Sequence, residues 1–309
     1  MKSHPKLSPY GVFTGKLFQY HANLVAFESS PPTTSMSRNK CILIGGLSDG
    51  LIPTPYTSDL EKECHSLGWS LVQPLLSSSY LGFGSGSLSR DTSEIELLMN
   101  YLVCHHDADF FTLVGHSTGC QNSIHFLKHG DTDMVKKVKF VALQAPVSDR
   151  ESMSLTPGNH DANLEHAKSL LSQHKGEEMM PRSTFWAPIT ASRYLDLFDV
   201  KGDDDFFSSD LSDEELHERL GHIGNLGKKT GLRLLAVFSG KDEYVPETIE
   251  KEVLLERLVT AMNGGKRNHG AARGLLLKNA NHNLSDGSGD KEIFVKEVGN
   301  LLRTLSADS

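Results

Sequence analysis

Cysteine is scarce in this 309-residue chain: Cys41, Cys64, Cys104 and Cys120 share no metal-type spacing. Cys41 and Cys120 fall in apolar segments that read as a buried strand and a buried helix, so reduced thiols in a cytoplasmic protein are expected. Long apolar runs are missing as well; none approaches the ~20 residues needed to span a bilayer. The opening stretch MKSHPKLSPYGVF has neither the apolar core of a secretory leader nor the Arg-rich amphipathic character of an organellar one. Positive charge is in deficit, with 31 Lys and Arg against 39 Asp and Glu and a net charge of −8. That balance argues against nucleic acid or an anionic membrane surface as a partner. The glycines of SSSYLGFGSGSLSR do not follow the dinucleotide-binding spacing, which argues against a phosphate-binding loop.

What is present is ordinary globular material, 38% hydrophobic and 23% charged, enough for one large or two modest domains. Residues 11–20 and 24–29 read as a short hairpin, followed by a Pro/Ser/Thr stretch, SSPPTTSMSRN, expected to be a mobile loop. Apolar strand-like runs then alternate with helix-like segments. CILIGG precedes a helix carrying Leu60, Cys64 and Leu67 on one face, and WSLVQPLL precedes a helix predicted to start at an Asp91 N-cap with Glu94 in capping-box position. VKFVALQAPV, LRLLAVFSG and RGLLLKNA continue the strand series, and the last helix runs from about Lys291. Alternation of this kind predicts an α/β fold with a mostly parallel, doubly wound sheet covered on both faces. The pattern breaks at residues 150–230, which are polar and mostly helical; this stretch is read as a helical cap inserted between strands 6 and 7 of a single domain spanning 1–309.

The stretch FFTLVGHSTGCQNSIHFL carries the first chemical signal. Phe111 to Gly115 reads as a buried strand and Thr118 to His129 as a helix, with Ser117 at the corner inside Gly115-His116-Ser117-Thr118-Gly119. A sharp strand-to-helix turn needs small residues on both sides and lifts one hydroxyl to a helix N-terminus, where developing negative charge is stabilised. That is the G-x-S-x-G nucleophile elbow. In a doubly wound sheet the partners gather just past strand ends. Asp242 follows LRLLAVFSG and His282 follows RGLLLKNA, in the chain order Ser, Asp, His of an α/β-hydrolase. Serine needs a neutral imidazole to take its proton, and the carboxylate fixes that imidazole's tautomer. Asp149, past the sixth strand, is the rival acid and Glu243 a weaker one; His269 reads as a loop residue. The oxyanion hole is expected from the backbone N–H groups of Thr118 and Leu47, with Gly45 and Gly46 clearing the approach.

Other clusters read as decoys. Cys104-His105-His106-Asp107 places neighbours in different directions on a helix, and no metal is expected there. Asp203-Asp204-Asp205 reads as a solvated part of the cap, with a cation or cationic-substrate patch as the alternative. The cap aromatics Phe185, Trp186, Tyr194 and Phe198 line a substrate pocket or form the cap's own core; composition does not separate the two.

The stretches GGLSDGLIPTPY, GWSLVQPLLSSSYLGFGSGSLSRD, GHSTGCQ, DDDFFSSDLSDEEL and FSGKDEYVP together resemble the DUF1749 family of α/β-hydrolases, found in fungi, plants and algae. The resemblance runs over nearly the whole chain. It implies an α/β-hydrolase fold, supports Ser117, Asp242 and His282, and marks Ser78, Tyr80, Arg90, Asp91 and the DDDFFSSDL segment as family features without a settled role. Some fungal members resemble siderophore ester hydrolases that open fusarinine-type esters. The expectation is therefore a serine esterase acting on a small-molecule ester through an acyl-enzyme, with no cofactor. Catalytic residues are Ser117, Asp242 and His282, and pocket candidates are Tyr80, Trp186 and Phe198. An acyltransferase or thioesterase using the same residues, and a non-catalytic ligand-binding homologue, are the alternatives.

Overall fold

The strands pair in the order β1-β2-β4-β3-β5-β6-β7-β8 in a computed structural model that describes residues 10–31, 37–156, 158–265 and 270–307. β1 (Lys16–His21) and β2 (Leu24–Ser29) form the expected hairpin. The others are β3 (Asn39–Ile44), β4 (Trp69–Leu75), β5 (Phe110–His116), β6 (Val138–Gln144), β7 (Arg233–Ser239) and β8 (Ala272–Leu277). From β4 to β8 every pairing is parallel, and β2 joins β4 antiparallel. The centre of the Pro/Ser/Thr stretch, 32–36, and His269 lie outside the described residues.

Both faces of the parallel strands β3 to β7 are buried, which is why their sequences read as continuous apolar runs, while the edge strand β8 is partly exposed. On β3, Ile42 and Ile44 point to one side, where they pack with Ile95 and Leu98 of α2 (Leu88–His106) and with Ile124 of α3 (Thr118–His129). Cys41 and Leu43 point to the other side, against Leu60 of α1 (Thr57–Ser66). α4 (Thr132–Lys137) leads into β6, and between β6 and β7 the chain is mostly helical, with α5 (Asp149–Ser152), α6 (His160–Ser172), α7 (Ala191–Phe198), α8 (Asp213–Leu220) and α9 (His222–Thr230). This segment divides in two. Ala167, Leu170, Ile189, Tyr194 and Phe198 form a separate apolar cluster, whereas Phe206, Phe207, Leu216 and Ile223 belong to the core under the sheet. α10 (Lys251–Met262) and α11 (Asp290–Ala307) complete the layers.

Two local expectations are corrected. α2 begins at Leu88, capped by Ser87, whose hydroxyl accepts the Arg90 N–H. Asp91 and Glu94 instead turn inward, where Ser78 Oγ donates to Asp91 and the Ser77 N–H and hydroxyl donate to Glu94. Of the acidic run at 203–205, only Asp203 is exposed. Asp204 accepts both Nη groups of Arg193, and Asp205 accepts from Arg150, so each buried carboxylate has a guanidinium partner.

Candidate active site

β3 and β5 are neighbours whose chain connections leave in opposite directions across the sheet, so their carboxyl ends frame a crevice at a topological switch point. Ser117 sits at that point, directly after β5 and at the N-terminus of α3, with φ 53° and ψ −123°. This conformation is strained for a residue with a side chain and is held by its surroundings. The Ser117 N–H donates to Gln144 O at 3.0 Å. The flanking glycines are steric necessities: a Cβ on Gly115 would lie 2.3 Å from Gly119 O, and one on Gly119 would lie 2.3 Å from Ile44 O. From the β3 side, a Cβ on Gly46 would meet Ser117 Cβ at 2.8 Å, so the two strand-end loops are in contact.

His282 and Asp242 meet past the ends of β7 and β8. The two carboxylate oxygens of Asp242 lie 3.0 and 2.9 Å from His282 Nδ1, and the residues are only 4% and 7% exposed. A buried acid in this position selects the tautomer with the proton on Nδ1, leaving Nε2 as an unprotonated acceptor. Asp242 is itself oriented, because its Oδ1 accepts the Tyr244 N–H and its carbonyl accepts from Lys251. The Tyr244 ring stands edge-on to His282 at 4.6 Å.

The two other candidate acids have other partners. Glu243 accepts the backbone N–H of His282 at 2.9 Å and so holds the loop instead of the ring. Asp149 accepts from Gln121, and its carboxyl is pushed up to about 7, first by withdrawal from water, with Asp204 adding to the rise and Arg193 opposing it.

Gln144 was not singled out by sequence reasoning, although a lone amide inside an apolar strand was a readable signal. Its carbonyl holds the Ser117 N–H, its Nε2 donates to His282 O at 2.9 Å, and its Oε1 lies 2.6 Å from His116 Nδ1. One side chain thus ties the serine turn to the histidine loop. The His116 ring lies 5.0 Å from that of His282, tilted by 55°, and its pKa is driven down to about 3 by burial and by the neighbouring imidazole, so it stays neutral.

The backbone N–H groups of Leu47 and Thr118 make no hydrogen bond among the described residues, while the neighbouring Gly46 N–H is taken by Asp49 Oδ2 at 2.7 Å. Tyr80, with φ 55°, lays its ring over Gly50 and is 54% exposed. Trp186 is 56% exposed and packs on Phe83 and Phe185, whereas Phe198 is inside the separate apolar cluster, its ring 5.4 Å from Phe185. At the far end of α2, His106 turns inward to Glu28 while Cys104 and His105 stay at the surface. All four cysteines are unpaired, and no helix among the described residues is long and apolar enough to cross a membrane.

A mostly parallel sheet with a strained serine after its central strand, and a histidine–aspartate pair past later strands, defines the α/β-hydrolase class. Within that class, the model for the family described as DUF1749, protein of unknown function, matches residues 2–303, and the chain belongs to this family. A UPF0613 protein of Schizosaccharomyces pombe is 33% identical over 313 residues, covering 94% of this chain and 97% of its own. The fusarinine C esterase sidJ of Aspergillus fumigatus is 31% identical over 356 residues, covering 98% of this chain and 99% of its own. Among solved structures, the siderophore hydrolase EstB from Aspergillus fumigatus superposes with a TM-score of 0.78 at 28% identity, over 96% of this chain and 99% of that one.

Proposed function

We propose that this protein is a serine esterase that cleaves small-molecule carboxylic esters, of the siderophore type, through an acyl-enzyme. Ser117 Oγ attacks the ester carbonyl carbon as His282 Nε2 takes its proton, and Asp242 stabilises the resulting imidazolium. The carbonyl oxygen becomes an oxyanion held by the N–H groups of Thr118 and Leu47. Collapse of the tetrahedral species breaks the bond to the alcohol oxygen, which leaves with the proton from His282. Water, deprotonated by the same imidazole, then releases the acid and restores Ser117.

The observation that carries this reading is the pairing of a strained serine, φ 53° and ψ −123°, with a buried His282–Asp242 pair tied to the same turn through Gln144. The names of two relatives, a fusarinine C esterase and a siderophore hydrolase, support the substrate class. We read the first half of the inserted segment, with its own apolar cluster, as the cap, and the part from Phe206 onward as body of the core. Four unpaired cysteines fit a reducing compartment, and we place the protein in the cytoplasm. In this reading Ser117→Ala lowers kcat/KM for p-nitrophenyl butyrate by a factor on the order of 10⁴ or more. A variant that keeps wild-type turnover would remove Ser117 from the chemistry. An acyltransferase would instead show product partitioning toward an added alcohol over water.

A further inference from the structure

The turn that follows β3 concentrates backbone strain. Ser48 and Ile52 hold φ at 68° and 59°, and Tyr80, packed over Gly50, holds it at 55°. Branched and bulky side chains rarely adopt such values, and they persist only where the surroundings over-determine them. Tertiary hydrogen bonds do so here: the Ile52 N–H donates to Gln73 Oε1 at 2.7 Å and the Tyr80 N–H to Asp49 O at 3.0 Å. The strain lies beside Ser117, whose Cβ would be 2.8 Å from a Cβ on Gly46.

Asp49 ties this turn together. Its carboxylate accepts the Gly46 N–H at 2.7 Å and its own N–H donates to Gly46 O at 3.0 Å, so one residue grips Gly46 from both sides. The second bond also orients Leu47. Gly46 O and the Leu47 N–H belong to one peptide unit, which is planar and trans, so they point in opposite directions. Holding the oxygen toward Asp49 turns the Leu47 N–H away from it, and that N–H makes no hydrogen bond among the described residues. Without the grip the unit would turn over readily, because glycine tolerates either orientation. A turned unit would present a carbonyl where the proposed oxyanion needs a donor. Gly45 admits Asp49 to its place, since a Cβ there would lie 2.6 Å from Asp49 Cβ. Leu47 and Thr118 also border one small polar cavity, of about 30 Å³, between the ends of β3 and β4, α2, α3 and α7.

We propose that Asp49 is a positioning residue of the ester-cleaving site: its carboxylate locks the Gly46–Leu47 peptide so that the Leu47 N–H faces the oxyanion, without itself touching substrate. This rests on the esterase reading and deepens it. The role is one of geometry, since a negative charge beside a developing oxyanion opposes it. An asparagine, which carries the same oxygen to the Gly46 N–H without the charge, therefore serves as well.

Three variants test it with p-nitrophenyl butyrate, rates being expressed per folded molecule. Asp49→Ala removes the acceptor, and Asp49→Glu keeps the charge but displaces the oxygens by one methylene. Loss of one oxyanion donor costs on the order of 10² in rate, so each should lower kcat by about that factor with KM little changed. Asp49→Asn should restore kcat to within about fivefold of wild type. The second readout is the affinity for trifluoromethyl butyl ketone, whose adduct with a serine carries an oxyanion, relative to methyl butyl ketone, which forms no stable adduct. That ratio should fall in Asp49→Ala and Asp49→Glu by the same factor as kcat and persist in Asp49→Asn; a lower folded fraction alone does not move it. Wild-type kcat in either disrupting variant, an Asp49→Asn as slow as they are, or a fallen kcat without a fallen ketone ratio would overturn the lock and leave the esterase reading standing. Should Asp49→Ala not fold, the other two variants decide by the same criteria. A wild type that neither turns over the butyrate nor prefers the trifluoromethyl ketone would instead sink the esterase reading and this one with it.

Discussion

The turn at Ser117 and the meeting of Asp242 with His282 were legible because each residue stands just past an apolar strand, and strand ends are where a doubly wound sheet brings such side chains together. The choice between acids was less legible, since Asp149 also follows a strand; only the folded positions separate a carboxylate 2.9 Å from Nδ1 from one that accepts from Gln121. Asp242→Asn should cost kcat on the order of 10⁴, because the imidazole loses control of its tautomer, while Asp149→Asn should be mild. Ester kinetics on both variants check this, and reversed severities would move the acid to the end of β6. Asp149 also predicts a pH effect on stability. Its carboxyl, at about 7 when folded, lies above the ~3.9 of an unfolded Asp, so the folded state holds that proton more tightly. The resulting stabilisation is full below about pH 4 and lost as pH rises through about 7. Melting temperatures of Asp149→Asn and wild type should therefore diverge in favour of the variant between about pH 4 and pH 8. A constant difference would contradict the shift.

Strands were easier to read than helix starts or polar runs. β3 to β7 are buried on both faces and announce themselves as apolar runs, but the start of α2 depends on partners far away in sequence. Asp91 had the look of a cap until Ser78, in the preceding loop, supplied its hydrogen bond, and Asp204 and Asp205 looked solvated until Arg193 and Arg150 were placed beside them. The cap aromatics, which composition left undivided, fall into two settings. Trp186 is at the surface against Phe83, a wall residue of the polar cavity, while Phe198 is enclosed by Tyr194 and Phe185. Trp186→Ala should thus shift the preference between bulky and small esters with little change in melting temperature. Phe198→Ala should cost roughly 3–5 kcal/mol in stability and lower all activities together. Melting temperature beside kcat/KM for a small and a large ester separates the two, and matching behaviour of the variants would contradict the division.

Across the whole molecule, the sheet order brings together residues far apart in the chain: Gly46 after β3, Ser117 after β5, Gln144 ending β6, and Asp242 and His282 after β7 and β8. Sequence reasoning reached the class of fold by strand and helix alternation, and located the insertion by the loss of that alternation. It did not reach the division of the insertion, because Phe206 to Ile223 look like the polar helices around them until their apolar sides meet the core. Nor did it reach the polar cavity, whose walls come from the ends of β3 and β4, from α2, α3 and α7. The central claim is that this arrangement makes Ser117 a nucleophile, and covalent labelling tests it most directly. Intact mass and peptide mapping after exposure to a fluorophosphonate should show one adduct, on Ser117, that is absent from Ser117→Ala and strongly slowed in His282→Ala. An unlabelled wild-type protein, or an adduct that survives in Ser117→Ala, would contradict the account.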